Sequence, residues 1–484
     1  MKELSCDYCE NVRALGAELR VSENFDMVSR RLLIGEDELT AFYIDGFIKD
    51  TSVQKMFQFF LTLPSLERGE GAARRFCEGR VPYVEVECTR DLEKLVFFVL
   101  SGALVLLGST FGGEAIIIDA RTYPARSPEE PDSDRAMQGP KDGFVETLIF
   151  NTVLLRRRIR DPRLTMKYLT VSGSSATDVV VAYLDGVADP RTVSEVVEKL
   201  RLAHPSSLTM GYQSLAECLI PRRWYNPFPK IRTLERPDAA AAHLCEGSVL
   251  VLCDTSPQVM VLPTSIFDFL QETDDYYFPP LTGTYLRLVR QLVLVLALLF
   301  TPTWYLLLRH AEWIPGALSF LIPQEPGELP IILQLFLAEL AIDGLKLASM
   351  NTPDRLSNSM SVVGGLILGD FAVKAGWLSG DVILYMALVA VAGFAQQNYE
   401  LGYAIKFMRM LLLILVALLD VYGYGIGLLC VLVLIVTNKT LTSDRGYLYP
   451  LLPFDGRSLL RLLIRVPKND RGKIKNRKKK QKTS

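Results

Sequence analysis

Histidine is scarce in this chain of 484 residues, and the motifs of common enzyme classes are missing. The three histidines, His204, His243 and His310, lie far apart, so the sequence supports no Ser/His/acid arrangement for nucleophilic catalysis. It also lacks the Gly-x-x-x-x-Gly-Lys-Ser/Thr loop that binds nucleotide phosphates. We therefore expect no enzyme, no catalytic residues and no cofactor.

The eight cysteines are too scattered to form a disulfide framework, which favours a reducing compartment. Cys6 and Cys9 have the spacing of a zinc or redox pair, but a structural zinc site needs four ligands and no histidine lies nearby. Cys77 and Cys88 could complete such a set, although their spacing is not a zinc pattern. We expect incidental cysteines and no metal.

The first 26 residues lack an apolar run and contain several acids, so we expect no secretory signal peptide and a cytoplasmic N-terminal part. Yet the chain is 49% hydrophobic with a mean hydropathy of +0.22, which is too apolar for an ordinary soluble protein of this length. The net charge of -1 conceals a segregation of charge, because residues 457–484 contain 12 Lys and Arg and one Asp.

Apolar residues are concentrated after about residue 288, and we interpret residues 288–456 as a membrane domain followed by a basic cytoplasmic tail at 457–484. We predict membrane segments near 288–309, 330–348, 357–377, 382–400 and 410–437.

Two topologies are compatible with basic residues on the cytoplasmic side. If 330–348 crosses, Lys406 and Arg409 are cytoplasmic, provided that 410–437 returns to the side it entered from. Asp420 and the glycines that follow it could break that segment into two half-helices. If only the four other segments cross, Lys406 and Arg409 lie outside.

Residues 1–287 contain a duplication. A strand-like run at 41–46 that ends in Asp45-Gly46, followed by a helix-like run at 51–63, returns 140 residues later at 181–186 and 192–202. We interpret Asp45 and Asp185 as turn residues before glycine. The predicted fold is an α+β membrane protein, in which a cytoplasmic pair of related α/β subdomains precedes an α-helical multi-pass domain. Its predicted parts are an N-terminal segment (1–21), a first subdomain (22–122), a proline-rich linker with a basic helix (123–164) and a second subdomain (165–287).

Charged residues within the apolar segments are the first candidate site. Glu339 and Asp343 are four residues apart on one helix face, and Asp370 and Lys374 repeat this spacing. A lipid-facing carboxylate is costly, so these groups should face a bundle interior, a subunit interface or water. They could line an ion path, or they could pair structurally at a helix interface.

Clustered arginines are the second candidate. A helix over residues 143–160 ends in a basic run, and a basic amphipathic helix is predicted near 457–465. Anionic lipid or a neighbouring subunit could bind these arginines, the alternative for the first run being a solvated helix end. Lipid contact explains the tail better than nucleic acid, because the tail follows membrane helices directly. The candidates are Arg156, Arg157, Arg158, Arg160, Arg457, Arg461 and Arg465.

Several segments together resemble the A-type subunits of the GerA family of bacterial spore germination proteins. They are Gly-Pro-Lys-Asp-Gly-Phe-Val-Glu at 139–146, Arg-Arg-Arg-Ile-Arg-Asp at 156–161, Tyr-Asn-Pro-Phe-Pro at 225–229, Glu-Arg-Pro-Asp at 235–238 and the run at 447–453. Segments 121–124, 127–132 and 254–257 are closer to the stage V sporulation branch of that family than to its nutrient-receptor branch.

The resemblance implies a multi-pass protein of the spore inner membrane, with both termini cytoplasmic, that forms a homo-oligomeric ring and conducts monovalent ions from the spore core. Its implied partners are further copies of itself, other spore germination membrane proteins and anionic lipid. A solute-coupled transporter and a membrane-anchored signalling scaffold are the alternatives. Asp370 is a departure, because relatives often have a neutral amide there.

Overall fold

The computed structural model describes residues 3–48, 50–83, 85–121, 137–171, 176–203, 210–220, 223–272, 274–323, 327–351, 364–365, 369, 371–396, 398–438, 441 and 446–465. The chain divides into two compact units. Unit 1 consists of Met1–Pro221, Ile231–Thr264 and Leu441–Ser443, and unit 2 consists of Arg222–Lys230, Ser265–Thr440 and Asp444–Ser484.

Unit 1 begins with a five-stranded sheet in the order β1-β2-β4-β5-β3, in which every pairing is antiparallel. Its most buried strands, β4 and β5, consist of Leu, Val, Ile, Ala and Gly, as expected of the centre of a sheet covered by helices. The elements are α1 Tyr8–Glu18, β1 Met27–Ile34, β2 Asp37–Ile44, α2 Asp50–Leu61, α3 Ala72–Arg80, β3 Val86–Thr89, α4 Leu92–Leu100, β4 Leu104–Gly108 and β5 Ala115–Ile118.

A second sheet repeats this strand order as β6-β7-β9-β10-β8, so the two related subdomains predicted from the repeated pattern are present as two sheets. The pairings are again antiparallel, which makes each subdomain α+β in the strict sense instead of a parallel α/β unit. The elements are α5 Leu148–Arg158, β6 Leu164–Val171, β7 Thr177–Leu184, α6 Pro190–Leu202, α7 Tyr212–Leu219, β8 Arg232–Leu234, α8 Pro237–Glu246, β9 Val249–Cys253 and β10 Val259–Leu262.

The two Asp-Gly pairs lie in turns directly after β2 and β7, as predicted. Gly46 and Gly186 have φ of 83° and 73°, which glycine adopts without steric cost. At Gly46 a Cβ would also lie 2.7 Å from Cγ2 of Val153, so α5 packs closely on this turn. A side chain at position 46 would therefore push α5 away from the first sheet.

Helix α5 is shorter than the predicted 143–160. It begins at Leu148, because the preceding residues are held in extended backbone: the N–H of Phe144 donates to the carbonyl of Glu235, and the Asn151 amide bonds both backbone groups of Val145. Val153 packs in the core of the first sheet, whereas Leu155 packs in the core of the second. This helix is therefore buried between the two repeats.

Unit 2 is helical in its described residues. The helices of unit 2 are α9 Asp274–Tyr277, α10 Pro280–Arg309, α11 Ile331–Asn351, α12 Ala372–Lys374, α13 Gly380–Phe394, α14 Tyr399–Val436 and α15 Gly456–Leu463, with 3-10 turns at Ile266–Leu270, Ala311–Trp313 and Gly316–Leu321. Pro280 is in the first turn of α10, a position where its missing N–H is harmless.

Within the described residues, two helices are long and apolar enough to cross a membrane: α10, with 30 residues, and α14, with 38. α13 is apolar but has 15 residues. Much of the predicted segment 357–377, including Asp370, lies outside the described residues. A multi-pass topology therefore stays a prediction.

The chain reverses direction inside α14. Asp420 has φ 55° and ψ -132°, which is not helical, and beyond it the helix folds back on its own first part. A Cβ on Gly423 would lie 1.9 Å from the carbonyl oxygen of Leu415, and one on Gly427 would lie 2.5 Å from Cδ2 of Leu412. α14 is thus a hairpin of two helical arms with glycines where the arms meet.

Candidate functional site

Four ionisable side chains of unit 2 meet between α11 and α14, and we refer to Glu339, Asp343, Lys406 and Arg409 as the charged cluster. Nη2 of Arg409 donates to both carboxylate oxygens of Glu339 at 2.8 and 2.7 Å. Nζ of Lys406 lies 3.1 Å from Oε1 of Glu339 and also donates to Asp343. The two carboxylates are thus paired with two cations.

Helical spacing brings these groups together. Glu339 and Asp343 are four residues apart on α11, and Lys406 and Arg409 are three apart on α14, so each pair shares one face of its helix. Nη1 of Arg409 reaches further and donates to the carbonyl of Ala297 on α10 at 2.8 Å. Arg409 therefore joins three helices.

The ion pair at the centre of the charged cluster is nearly inaccessible. The side chain of Arg409 is 6% exposed and that of Glu339 is 11% exposed. Burying two charges is costly, and the charge-assisted hydrogen bonds from Nη2 to both carboxylate oxygens offset part of that cost. Removing Glu339 would leave Arg409 as an uncompensated buried charge, whereas Glu339 would keep Lys406 as a partner if Arg409 were removed.

A pocket of about 80 Å³ opens beside the charged cluster, within unit 2. Lys346 of α11 lines it, with its Nζ 4.6 Å from the ring centre of Tyr403, 5.0 Å from that of Tyr399 and 5.9 Å from that of Phe394. The lining comprises Leu294, Ala297, Glu339, Ile342, Asp343, Lys346, Val389, Ala390, Gly393, Phe394, Gln396, Tyr399, Gly402, Tyr403, Ile405, Lys406 and Arg409.

Two buried donors that line this pocket lack an acceptor among the described residues. They are Nε2 of Gln396, a residue 5% exposed, and Nε of Arg409. Buried polar groups in native proteins nearly always have a partner, which can be a bound ion or a water molecule. These two atoms therefore indicate that the pocket takes up an acceptor.

A second polar contact ties the end of α10 to the reversal of α14. Nη1 of Arg309 donates to the carbonyls of Val416 and Ala417, both at 2.9 Å, which satisfies orphan carbonyls at the end of the first arm. Nε2 of His310 lies 3.0 Å from Oδ1 of Asp420. The non-helical backbone at Asp420 is held in place by these neighbours.

The predicted ion-path residues fall into three groups. Glu339 and Asp343 are together, in contact with cations that the sequence reasoning did not assign to the site. Lys374 lies on α12 and is not a lining residue of the pocket, and Asp370 lies outside the described residues. The spacing of Lys406 and Arg409 between apolar segments was the signal that could have identified the missing partners.

Arg156 requires a correction. We predicted a contact with lipid or a neighbouring subunit, but its side chain is fully buried within unit 1. Its guanidinium donates to Asp26 at 2.7 and 3.0 Å, to Oδ1 of Asn24 at 3.0 Å and to the carbonyl of Leu164 at 2.8 Å. Arg156 links the first repeat to the second and is not available to a headgroup.

The other arginines of that run lie nearer the surface. Nη2 of Arg158 donates to both carboxylate oxygens of Asp142 at 2.6 Å, and Arg160 lies 6.0 Å from the ring centre of Phe97. Arg157 and Arg160 are exposed. A lipid or subunit role for these three stays a prediction.

At the C-terminal end, the predicted helix is present as α15. The side chains of Arg457 and Arg461, and all of residues 466–484, lie outside the described part of the chain. Nη2 of Arg465 donates to the carbonyl of Tyr276 at 2.5 Å, so this arginine connects the end of α15 to α9.

Several titratable groups of unit 1 have shifted pKa values, among them two cysteines and one histidine. Sγ of Cys77 lies 3.0 Å from Sγ of Cys88, and the hydrogen bond from Cys77 lowers the pKa of Cys88 while it raises that of Cys77. Burial lowers the pKa of His243 to about 3, so its imidazole is neutral near pH 7. Cys6 and Cys9 are both exposed.

The segments that carry the family resemblance contact one another. Arg236 pairs with Asp238 at 2.8 Å and donates to the carbonyl of Pro140, which joins two of these segments in unit 1. In unit 2 the hydroxyl of Tyr447 donates to the carbonyl of Pro229 at 2.7 Å. These residues thus have structural roles.

Comparisons with known proteins agree with that resemblance. Residues 17–478 match the Bacillus/Clostridium GerA spore germination protein family. The chain is 36% identical to stage V sporulation protein AF of Bacillus subtilis (strain 168), over 92% of this chain and 90% of that protein. It is 27% identical to spore germination protein KA of the same organism, over 92% of this chain and 82% of that protein. The N-terminal domain of the A subunit of the Bacillus megaterium spore germinant receptor GerK3 aligns with 54% of this chain and 96% of that chain, at 22% identity and a TM-score of 0.42.

Proposed function

The chain belongs to the GerA family of spore germination proteins, and on that premise we propose that it is a membrane subunit that conducts monovalent ions out of the spore core. The proposed location is the spore inner membrane. The proposed assembly is a homo-oligomer that works with other spore germination membrane proteins.

The observation that carries the proposal is the charged cluster with its adjoining pocket. Ionisable side chains are rare in apolar membrane helices, and where they occur they usually mark an ion or substrate pathway. Here four of them lie on α11 and α14, and a pocket opens beside them. Pairing of two apolar helices does not require charged side chains, whereas an ion path does.

The hairpin form of α14 supports the topology in which Lys406 and Arg409 are on the cytoplasmic side. A segment that reverses at Asp420 leaves the membrane on the side from which it entered. Segments near 288–309, 330–348, 357–377 and 382–400 then cross, and both termini are cytoplasmic. The basic tail and the exposed Arg157 and Arg160 would bind anionic lipid of that leaflet.

Oligomerisation is supported by large exposed side chains on the apolar helices. They include Leu384, Leu388 and Val391 on α13 and Leu418 and Tyr422 on α14. In a monomer these groups face lipid, whereas in a ring some of them contact the neighbouring copy.

The test is a flux measurement on the full chain in vesicles. We expect potassium release in discrete conductance steps, with altered selectivity when the carboxylates are neutralised in Glu339→Gln with Asp343→Asn. The matched control is Asp381→Asn, a carboxylate in the first turn of α13 that does not line the pocket.

Three results would contradict the proposal. Unchanged conductance and selectivity in the double variant would exclude the charged cluster from the path. Saturable solute uptake without conductance steps would favour a transporter. No transport of either kind, with intact assembly, would favour a signalling scaffold.

A further inference from the structure

The pocket beside the charged cluster has a surplus of positive charge. Its lining contains three cations, Lys346, Lys406 and Arg409, against two carboxylates, Glu339 and Asp343. Lys406 and Arg409 are paired with the carboxylates, whereas Lys346 has no carboxylate partner among the described residues and contacts aromatic rings instead. One positive charge in the lining is therefore not neutralised by the part of the chain that the structure describes.

The unpaired hydrogen-bond donors of the lining also favour a negatively charged ligand. The Nε–H of Arg409 can only donate, and no described residue accepts from it, although Nη1 and Nη2 of the same guanidinium are both bonded. Nε2 of Gln396 is a second buried donor that has no acceptor in the described part of the chain. What the lining lacks is an acceptor, and a cation cannot supply one.

The volume of the pocket also limits which ligands can bind. A pocket of about 80 Å³ has room for a few water molecules or a small ligand. Water alone would satisfy the donors but would not balance the charge of the half-buried Lys346. A halide with one water, or a carboxylate of one or two carbons, supplies both the acceptor and the charge.

We propose that this pocket is a binding site for a small monovalent anion, held by Arg409 Nε, Gln396 Nε2 and the charge of Lys346. This site goes beyond the proposed conduction, because it requires only that α10, α11, α13 and α14 form the pocket. It also implies that the anion stabilises the packing of these four helices, since it binds to the folded arrangement that forms the pocket.

The experiment uses the full chain in detergent and requires no transport assay. Chlorine NMR line width is titrated with protein in sodium chloride, and formate or gluconate is then added as competitor. We expect line broadening by the protein that formate abolishes and gluconate, with six carbons, does not. Thermal unfolding in chloride and in gluconate at equal sodium concentration gives a second readout, with the higher Tm in chloride.

Two variants remove the binding groups one at a time. Gln396→Leu and Lys346→Met should each weaken apparent chloride affinity by about tenfold or more, because each removes one interaction with the anion. The matched controls, Gln54→Leu and Lys55→Met, are at exposed positions of α2 and should titrate like the unaltered chain. Lys346→Arg keeps the charge and should retain binding, which separates loss of charge from loss of fold.

The proposal fails if the unaltered chain gives the same line width and Tm in chloride and gluconate, or if both variants titrate like their controls. It also fails if the stabilisation follows sodium concentration at constant chloride, which would make the pocket a cation site. Loss of ion flux with intact chloride binding would refute the proposed function and leave this site standing.

Discussion

Arg156 shows how much of unit 1 depends on one side chain. Its guanidinium contacts Asp26 and Asn24 of the first repeat and the carbonyl of Leu164 of the second, and both members of the ion pair are almost completely inaccessible. Asn24 in turn accepts from the backbone N–H of Met166 at 2.7 Å. The contact between the two sheets therefore contains a buried, fully hydrogen-bonded polar network.

Replacing Arg156 by Ala should destabilise unit 1 by about 3–5 kcal/mol, because Asp26 would remain buried without its counter-charge. Arg158→Ala is the matched control, since its partner Asp142 is partly exposed, and it should cost less than about 1 kcal/mol. Denaturant-dependent hydrogen exchange of β1 and β6 measures both. Equal exchange rates in the two variants would contradict the linking role of Arg156.

The two thiols of Cys77 and Cys88 are close enough for an oxidation experiment. One molecule of hydrogen peroxide should oxidise the pair to a disulfide, each thiol losing a hydrogen as two waters form. The lowered pKa of Cys88 makes it the attacking thiolate. Non-reducing peptide mapping should detect the 77–88 bond at mild peroxide concentrations. In Cys88→Ser, recovery of Cys77 in the free form is expected, and a different cross-link at equal yield would rule out a specific pair.

The residue scale was also where sequence reasoning failed most clearly. The run of arginines at 156–160 has the composition of a solvated helix end, and Arg156 is set apart by a partner 130 residues earlier in the chain. No local pattern encodes such a distance. The carboxylates Glu339 and Asp343 were found from helical spacing, but their cationic partners lie 63 and 70 residues away and were not.

At the scale of elements, the reversal inside α14 is the feature with the largest consequence. The backbone at Asp420 adopts a combination of φ and ψ that non-glycine residues rarely tolerate, and such strain persists only where neighbours enforce it. Arg309 and His310 provide that enforcement. The close approach of the two arms also requires that Gly423 has no side chain.

Gly423→Ala should therefore destabilise the hairpin, by about 1–3 kcal/mol, because the added methyl would overlap the Leu415 carbonyl. Gly425 lies two residues away with nothing within 4 Å of its Cβ position. Gly425→Ala should be neutral or stabilising by up to about 1 kcal/mol. Thermal unfolding of the two proteins in detergent compares them, and a lower Tm for Gly425→Ala than for Gly423→Ala would disprove the hairpin packing.

Secondary-structure elements that a short sequence pattern encodes could be predicted. The strands around 41–46 and 181–186 were visible as apolar runs that end in Asp-Gly, and both are present as β2 and β7. The start of α5 was not predictable, because residues 143–147 have an acceptable helical pattern. They are extended because Asn151 and Glu235 take their backbone hydrogen bonds, and Glu235 is distant in sequence.

At the scale of the whole molecule, the apolar runs after residue 288 predict a membrane domain distinct from the preceding part, and the chain divides into two compact units. The sheets are in unit 1, and the long apolar helices are in unit 2. The number of membrane crossings could not be predicted, because hydropathy does not distinguish a crossing segment from a hairpin. The hairpin at Asp420 was one of two possibilities that composition left open.

Accessibility of single cysteines in a cysteine-free background should decide the topology. Glu312→Cys, in the exposed turn after α10, should react with a membrane-impermeant maleimide only from the outer side. Phe407→Cys, at an exposed position on α14, should react only from the cytoplasmic side. Labelling of both positions from the outer side would instead support the four-crossing topology.

The buried contact between the repeats has a consequence for how the chain could be divided. Because Arg156 and α5 contact both halves of unit 1, we expect these halves to associate without a covalent connection between residues 121 and 137. Two polypeptides separated at that connection, when coexpressed, should find each other and reconstitute unit 1. The duplicated halves would then behave as a heterodimer that happens to be encoded in a single reading frame.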